Sequence, residues 1–212
     1  LIKDIVEKTQ ISKSDPNFFG TFENTETLRW SSGELYLLDQ TKLPIEVVEE
    51  KQESVEQVWH SIKQLKVRGA PAIGVAAAYG LLIGIREHTD MNLKEFLREV
   101  EKKAAYLESA RPTAVNLKWA LIRMLECSKT YSGNDSRGLF KQLEEEAILI
   151  HEEDVQLCQR IGVNGVSLIK EGMGVLTHCN AGALATTGIG TATAPMYLAH
   201  ENGVQFCVYA DE

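Results

Sequence analysis

Polar and apolar positions change period along this chain. Thr27 to Ser31, Glu34 to Asp39 and Ile45 to Glu50 read as short strands, with Ser32-Gly33 as a tight turn between the first two. Pro44 precedes the third, where a missing N–H is tolerated. The period then becomes helical. Val55, Val58, Ile62 and Leu65 recur at helical spacing behind Ser54, and Ser54 with Gln57 makes a capping box. After a break at Lys66–Pro71, Ala72 to His88 is apolar nearly all round and predicts a buried helix, with Pro71 at its first position. A third helix is predicted from about Asn92 to Ser109. A fourth follows Arg111-Pro112 and carries Trp119, Ile122 and Leu125 on one face. A long, partly acidic helical region covers Arg137 to Glu171, with Gly162 and Gly165 as candidate breaks. The chain closes on one βαβ unit: a strand from Val175, a glycine-rich loop, a helix from Thr191 to Glu201 and a strand from Val204 to Ala210.

These elements predict an α/β chain in two parts. Residues 1–136 form a helical N-terminal domain with a small antiparallel sheet. Residues 137–212 supply a linking helix and the start of a Rossmann-like parallel-sheet domain. Residues 1–26 are polar and mixed. The sequence begins at Leu1 and stops as the second parallel strand finishes, so it reads as a truncated part of a longer protein.

Composition narrows the function. Of 212 residues, 44% are hydrophobic and 25% charged, which fits a soluble globular protein. The net charge of -8 argues against nucleic acid as a partner. The apolar run from Ala70 to Ile85 is interrupted by Pro71, Gly74, Gly80 and Gly84, and it is shorter than the ~18 residues of a spanning helix. No membrane partner is expected, and no basic stretch followed by a hydrophobic core marks a signal peptide. Cys127, Cys158, Cys179 and Cys207 lie far apart without a C-x-x-C pair, which suits reduced cytoplasmic thiols and neither a metal cluster nor a disulfide framework.

Three places carry candidate chemistry. Arg68-Gly69-Ala70-Pro71 puts small residues with free amides at a helix start, where orphan N–H groups and the helix dipole favour an anion, and Arg68 adds a bidentate donor. Arg111-Pro112 repeats the arrangement one helix later, so both arginines are expected to face one pocket. Cys179 stands where a parallel strand meets its loop, at the crevice in which open α/β sheets bind ligands. The other three cysteines lie inside predicted elements and read as packing residues. His178 would alternate to the opposite side of the strand, which argues against a Cys-His dyad. Gly188-x-Gly190 with Asp211 about twenty residues on superficially fits a dinucleotide site. About ten residues separate it from the strand, however, and Thr193 replaces the third glycine, so no nicotinamide cofactor is expected. Glu144 to Glu146 and Glu152 to Asp154 read as a solvated helix face.

The runs Lys66–Gly74, Ser109–Leu117 and Thr177–Gly182 resemble the methylthioribose-1-phosphate isomerase family, whose superfamily includes the regulatory subunits of translation initiation factor 2B. The resemblance extends from about Thr27 to Glu212. It implies a homodimeric aldose–ketose isomerase of methionine salvage, converting 5-methylthioribose 1-phosphate to 5-methylthioribulose 1-phosphate without a cofactor or metal. It implies that Cys179 is one of two catalytic residues, in apolar surroundings that keep the thiol protonated. Arg68, Gly69, Ala70 and Arg111 would hold the substrate phosphate. The second catalytic residue, an aspartate, would lie beyond residue 212, and Asp211 is not its substitute. Two alternatives stay open: a non-catalytic regulatory subunit, and an isomerase of another C1-phosphorylated pentose such as 5-deoxyribose 1-phosphate.

Overall fold

The early alternation folds as a three-stranded antiparallel sheet in the computed structural model, which describes residues 26–211. The polar stretch at residues 1–25, the signal-peptide reading and Glu212 lie outside the described residues. β1 (Leu28–Ser31) and β2 (Glu34–Leu38) form a hairpin with Ser31 opposite Glu34. Ser32 and Gly33 have φ of 53° and 78°, the left-handed pair that suits the strand twist across a two-residue loop. β3 (Glu49–Gln52) pairs with β2, four residues later than the alternation predicts. Ile45 and Glu46 instead close a turn on the Lys42 carbonyl, and Ile45 is 85% exposed. The strand is polar throughout. Its buried Gln52 accepts a hydrogen bond from Ser61 at 2.9 Å, so pairing with β2 rather than apolar alternation defines it.

Ser54 caps α1 (Val55–Lys63) by accepting from the Gln57 amide. In return Gln57 Oε1 accepts from the Glu53 amide, one residue earlier than in a standard capping box. α2 (Ala70–Ile85) is the central core helix, with Pro71 at its second position. Every residue from Ala72 to Ile83 is buried. With the 3-10 turn at Arg86–His88 it reaches 19 residues, longer than the expected run, and is apolar enough to cross a membrane. Yet 72% of its apolar window is buried inside the protein, the signature of a core helix.

α3 (Leu93–Glu108), α4 (Val115–Lys129) and the first half of α5 (Ser136–Gly165) surround α2. One apolar core therefore runs from Leu28 to Ile150. The second half of α5 carries α6 (Ala194–Glu201). α5 passes Gly162 unbroken. A Cβ at that position would lie 2.8 Å from a Leu198 methyl, so the glycine admits α6 rather than ending α5. β4 (Gly174–Thr177) and β5 (Cys207–Ala210) pair in parallel, and α6 lies between them in sequence. Val175 and Val208 pack toward Met196 and Ala199. Their neighbours Leu176 and Tyr209 pair across the other face and are 69% and 57% exposed. The fold is a mixed α/β architecture with a small antiparallel sheet, helices and a short parallel sheet, as predicted.

Candidate active site

Gly69 has φ +94°, a conformation closed to ordinary side chains, and it caps the N-terminus of α2. That geometry lets the turn press against the loop after β4. A Cβ on Gly69 would lie 2.3 Å from Ala185 Cα and 2.6 Å from the Ala185 carbonyl oxygen. The Arg68–Ala70 turn and the cysteine loop are thus in backbone contact, through residues 116 positions apart in sequence.

The second arginine turn comes to the same end of the bundle. α2 packs most extensively against α4. A Cβ on Gly74, one turn into α2, would lie 3.0 Å from the Asn116 carbonyl in the first turn of α4. The N-termini of α2 and α4 therefore sit side by side, with Arg68 and Arg111 on the turns that lead into them. Arg68 is exposed and Arg111 half-buried. Among the described residues neither guanidinium has a hydrogen-bond or ion-pair partner, unlike Arg29, Arg123 and Arg137, which all bind carboxylates.

Cys179 lies two residues beyond β4, in the left-handed region at φ +63°. Since the strand ends at Thr177, strict alternation does not extend to His178 and Cys179. The His178 imidazole instead pairs with Asp211 at 2.8 Å, across the carboxyl ends of β4 and β5. Cys179 is exposed among the described residues, so the apolar surroundings expected for it are not formed by them. Cys158 is buried and Cys127 half-buried, and burial raises both thiol pKa values above the ordinary range. Cys207 is exposed at the start of β5, which corrects its reading as a packing residue.

The segment from Cys179 to Thr193 is a closed loop held by its own polar groups. The Ala181 carbonyl accepts from the Thr191 amide at 2.9 Å and from Thr193 Oγ1 at 3.1 Å. These bonds delay α6 to Ala194, three residues after its expected start. Thr186, fully buried, accepts from the Gly188 and Gly190 amides, both at 3.2 Å. Gly188 faces Cys158 and Gly190 faces Thr193. Both glycines serve contacts within the protein rather than an open phosphate-binding turn.

Two further elements pin the loop. Thr27 Oγ1 donates to the Ala183 carbonyl at 2.9 Å, and Gln40 Nε2 donates to the Leu184 carbonyl at 2.8 Å. On the other side Asp154 Oδ2 accepts from both the amide and the hydroxyl of Thr187, each at 2.7 Å. Asp154 is buried, so the acidic stretch 152–154 is not wholly a solvated face. The spacing Leu143, Ala147, Ile150, Asp154, Cys158 carries the signal, because it puts this carboxylate on the inward stripe of α5. Asp154→Ala should lower stability by about 2–4 kcal/mol, since two donors lose a charged acceptor. Urea titration would show a lower midpoint at unchanged slope. A change below about 0.5 kcal/mol would mean that water replaces the carboxylate.

A cavity of about 370 Å³ lies beside α5, lined by Trp30, Tyr79, His151 and Glu152 among others. Trp30 stacks on Tyr79 at 4.8 Å, and the Tyr79 hydroxyl meets His151 Nδ1 at 3.0 Å. It contains none of Arg68, Arg111 or Cys179. Among the described residues no group of three or more His, Cys, Asp or Glu side chains is placed to hold a metal ion.

Comparison with known proteins identifies relatives of this chain. A protein of Bacillus thuringiensis named 5-deoxyribose 1-phosphate isomerase is 51% identical over 87% of the chain and 53% of its own length. The crystal structure of 5-methylthioribose 1-phosphate isomerase from Pyrococcus horikoshii matches with a TM-score of 0.82 and 31% identity, over 94% of this chain and 63% of that one. The crystal structure of translation initiation factor eIF-2B, subunit delta, from A. fulgidus matches with a TM-score of 0.78 and 37% identity, over 88% of this chain and 54% of that one. The chain spans about half the length of the curated relatives it matches. Residues 66–212, from the Arg68 turn through the cysteine loop to the last residue, match the initiation factor 2 subunit family, and the chain belongs to that family.

Proposed function

We propose that the protein is an aldose–ketose isomerase acting on a pentose 1-phosphate, with 5-deoxyribose 1-phosphate as its substrate. The observation that carries this reading is the contact between Gly69 and Ala185, which stands an anion-binding turn against the loop that begins at Cys179. A sugar phosphate would lay its phosphate on the Gly69 and Ala70 amides, with Arg68 and Arg111 supplying charge. That neither guanidinium has a partner among the described residues supports that role. The B. thuringiensis relative supports the 5-deoxy substrate more strongly than the methionine-salvage substrate implied by the motifs. The latter becomes the second reading, favoured by the P. horikoshii structure at lower identity. The A. fulgidus subunit favours a regulatory protein, but a regulator has no need of a thiol at the mouth of this loop.

The chemistry suits these groups. A phosphate on C1 locks the furanose ring, so C1–O4 must break with a proton delivered to O4. One hydrogen moves from C2 to C1, and the C2 hydroxyl gives up its proton to leave a ketone. The atoms of substrate and product are the same, and one acid and one base suffice. Cys179 is assigned the acid role beside a base, the downstream aspartate implied by the resemblance.

The test is a comparison of kcat/KM for 5-deoxyribose 1-phosphate and 5-methylthioribose 1-phosphate on the intact protein. We expect the 5-deoxy sugar to be preferred by about 10-fold or more, the scale on which an apolar pocket discriminates one small group. A reversed preference would establish the second reading. Phosphate binding with no turnover of either sugar would establish the regulatory one.

A further inference from the structure

Gln40 lies across the seam between the two halves of the site. It stands two residues beyond β2, after Asp39, and is half-buried. Its backbone N–H donates to the Lys66 carbonyl at 2.9 Å, on the strand of chain that leads into Arg68 and Gly69. Its side-chain amide donates to the Leu184 carbonyl at 2.8 Å, within the 3-10 turn that follows Cys179. One residue therefore grips the anion turn with its backbone and the thiol loop with its side chain.

Both grips are firm. Lys66 is itself held by Glu50 at 2.7 Å and by the buried Asp39 at 3.6 Å. Asp39 in turn accepts from the amide and hydroxyl of Thr41, so the end of β2 is fixed where Gln40 leaves it. On the far side, Leu184 belongs to a turn closed by the Ala185 amide on the Gly182 carbonyl at 3.0 Å. A pull on Leu184 is thus transmitted toward Gly182 and Ala181, whose amide bonds back to the Cys179 carbonyl at 3.1 Å.

Building on the isomerase reading, we infer that Gln40 is a positioning residue that sets the separation between the phosphate turn and the cysteine loop. The two halves of the bond separate cleanly in a mutant. Gln40→Ala removes the side-chain grip on Leu184 and keeps the backbone grip on Lys66, so the anion turn stays in place. Gln40→Glu keeps the volume but turns a carboxylate oxygen toward a carbonyl oxygen, which pushes the loop away.

The experiment measures kcat, KM, the affinity for inorganic phosphate and the rate of Cys179 alkylation by iodoacetamide, in intact protein with Cys207→Ser to silence the other exposed thiol. For Gln40→Ala we expect kcat to fall about 10- to 100-fold, the cost of a misplacement near 1 Å, with KM and phosphate affinity within about 2-fold. Gln40→Glu should fall at least as far. Cys179 alkylation should change several-fold in both variants at temperatures well below melting. Parent-like kcat and alkylation in the folded variants would overturn the inference, as would a parallel loss of kcat and phosphate affinity. Should the parent turn over neither sugar, the isomerase reading fails. Alkylation and phosphate binding then still report whether Gln40 holds the loop independently of the anion turn.

Discussion

If the proposed isomerase reading holds, Cys179→Ser should leave the protein folded and lower turnover by about 100- to 10,000-fold, the usual cost of removing a general acid. The fold should tolerate the change, because the residue is exposed and Cβ is retained at the same positive φ. A surface substitution of this kind is expected to alter stability by less than about 0.5 kcal/mol. The other cysteines should behave in the opposite way. Cys158 sits fully buried against the Gly188 turn, so Cys158→Ser should cost roughly 1–3 kcal/mol through a poorly paired hydroxyl and keep its turnover below the melting range. Thermal melts and initial rates on both variants separate the two effects. A Cys179→Ser protein that turns over near the parent rate would show the thiol to be a bystander, and the acid role would have to pass to another group at the loop.

What the sequence made legible follows from the range of the forces involved. The β1–β2 hairpin was readable because Ser32-Gly33 decides its own turn geometry locally. α2 was readable because a helix buried all round needs small or apolar residues on every face, and the chain supplies them from Ala72 to Ile83 with no charged residue among them. β3 was misplaced because its residues, Glu49 to Gln52, carry no apolar alternation, and only hydrogen bonding to β2 makes them a strand. Gly162 makes room for Leu198 of α6, 36 residues later, a contact that no local propensity encodes.

The candidate site divides along the same line. Arg68, Gly69, Arg111 and Cys179 announce themselves by turn chemistry and by position beside helix or strand ends. Their mutual placement rests on contacts between Gly69 and Ala185 and between Gly74 and Asn116, which appear only on folding. Gln40 carries no local signal, because its partner carbonyl is 144 residues away. Asp154 was hidden for another reason. It sits among acidic neighbours that do face water, and only the inward register of Ile150, Asp154 and Cys158 sets it apart.

Gly69→Ala should damage both folding and function, because it strikes the contact on which the proposed site depends. Two costs add. At φ +94° an alanine sits in backbone space that L-residues rarely occupy, a strain of about 1–3 kcal/mol. Its Cβ would also lie 2.3 Å from Ala185 Cα and 2.5 Å from Ala185 Cβ. No flexible side chain can yield there, so the backbone of the cysteine loop must move. Overpacking of this kind typically costs another 1–3 kcal/mol. We expect a total loss of about 2–6 kcal/mol, turnover reduced by at least about 100-fold, and weaker binding of inorganic phosphate as the Gly69 amide is re-aimed. Gly172→Ala is the control. Gly172 also has positive φ, at +76°, but a Cβ there meets nothing within 4 Å. That variant should show strain alone, about 1–2 kcal/mol, with turnover near the parent value. The difference between the two melting curves isolates the crowding at Ala185. If Gly69→Ala matches Gly172→Ala in both stability and rate, then the approach of the anion turn to the cysteine loop is not what makes the site.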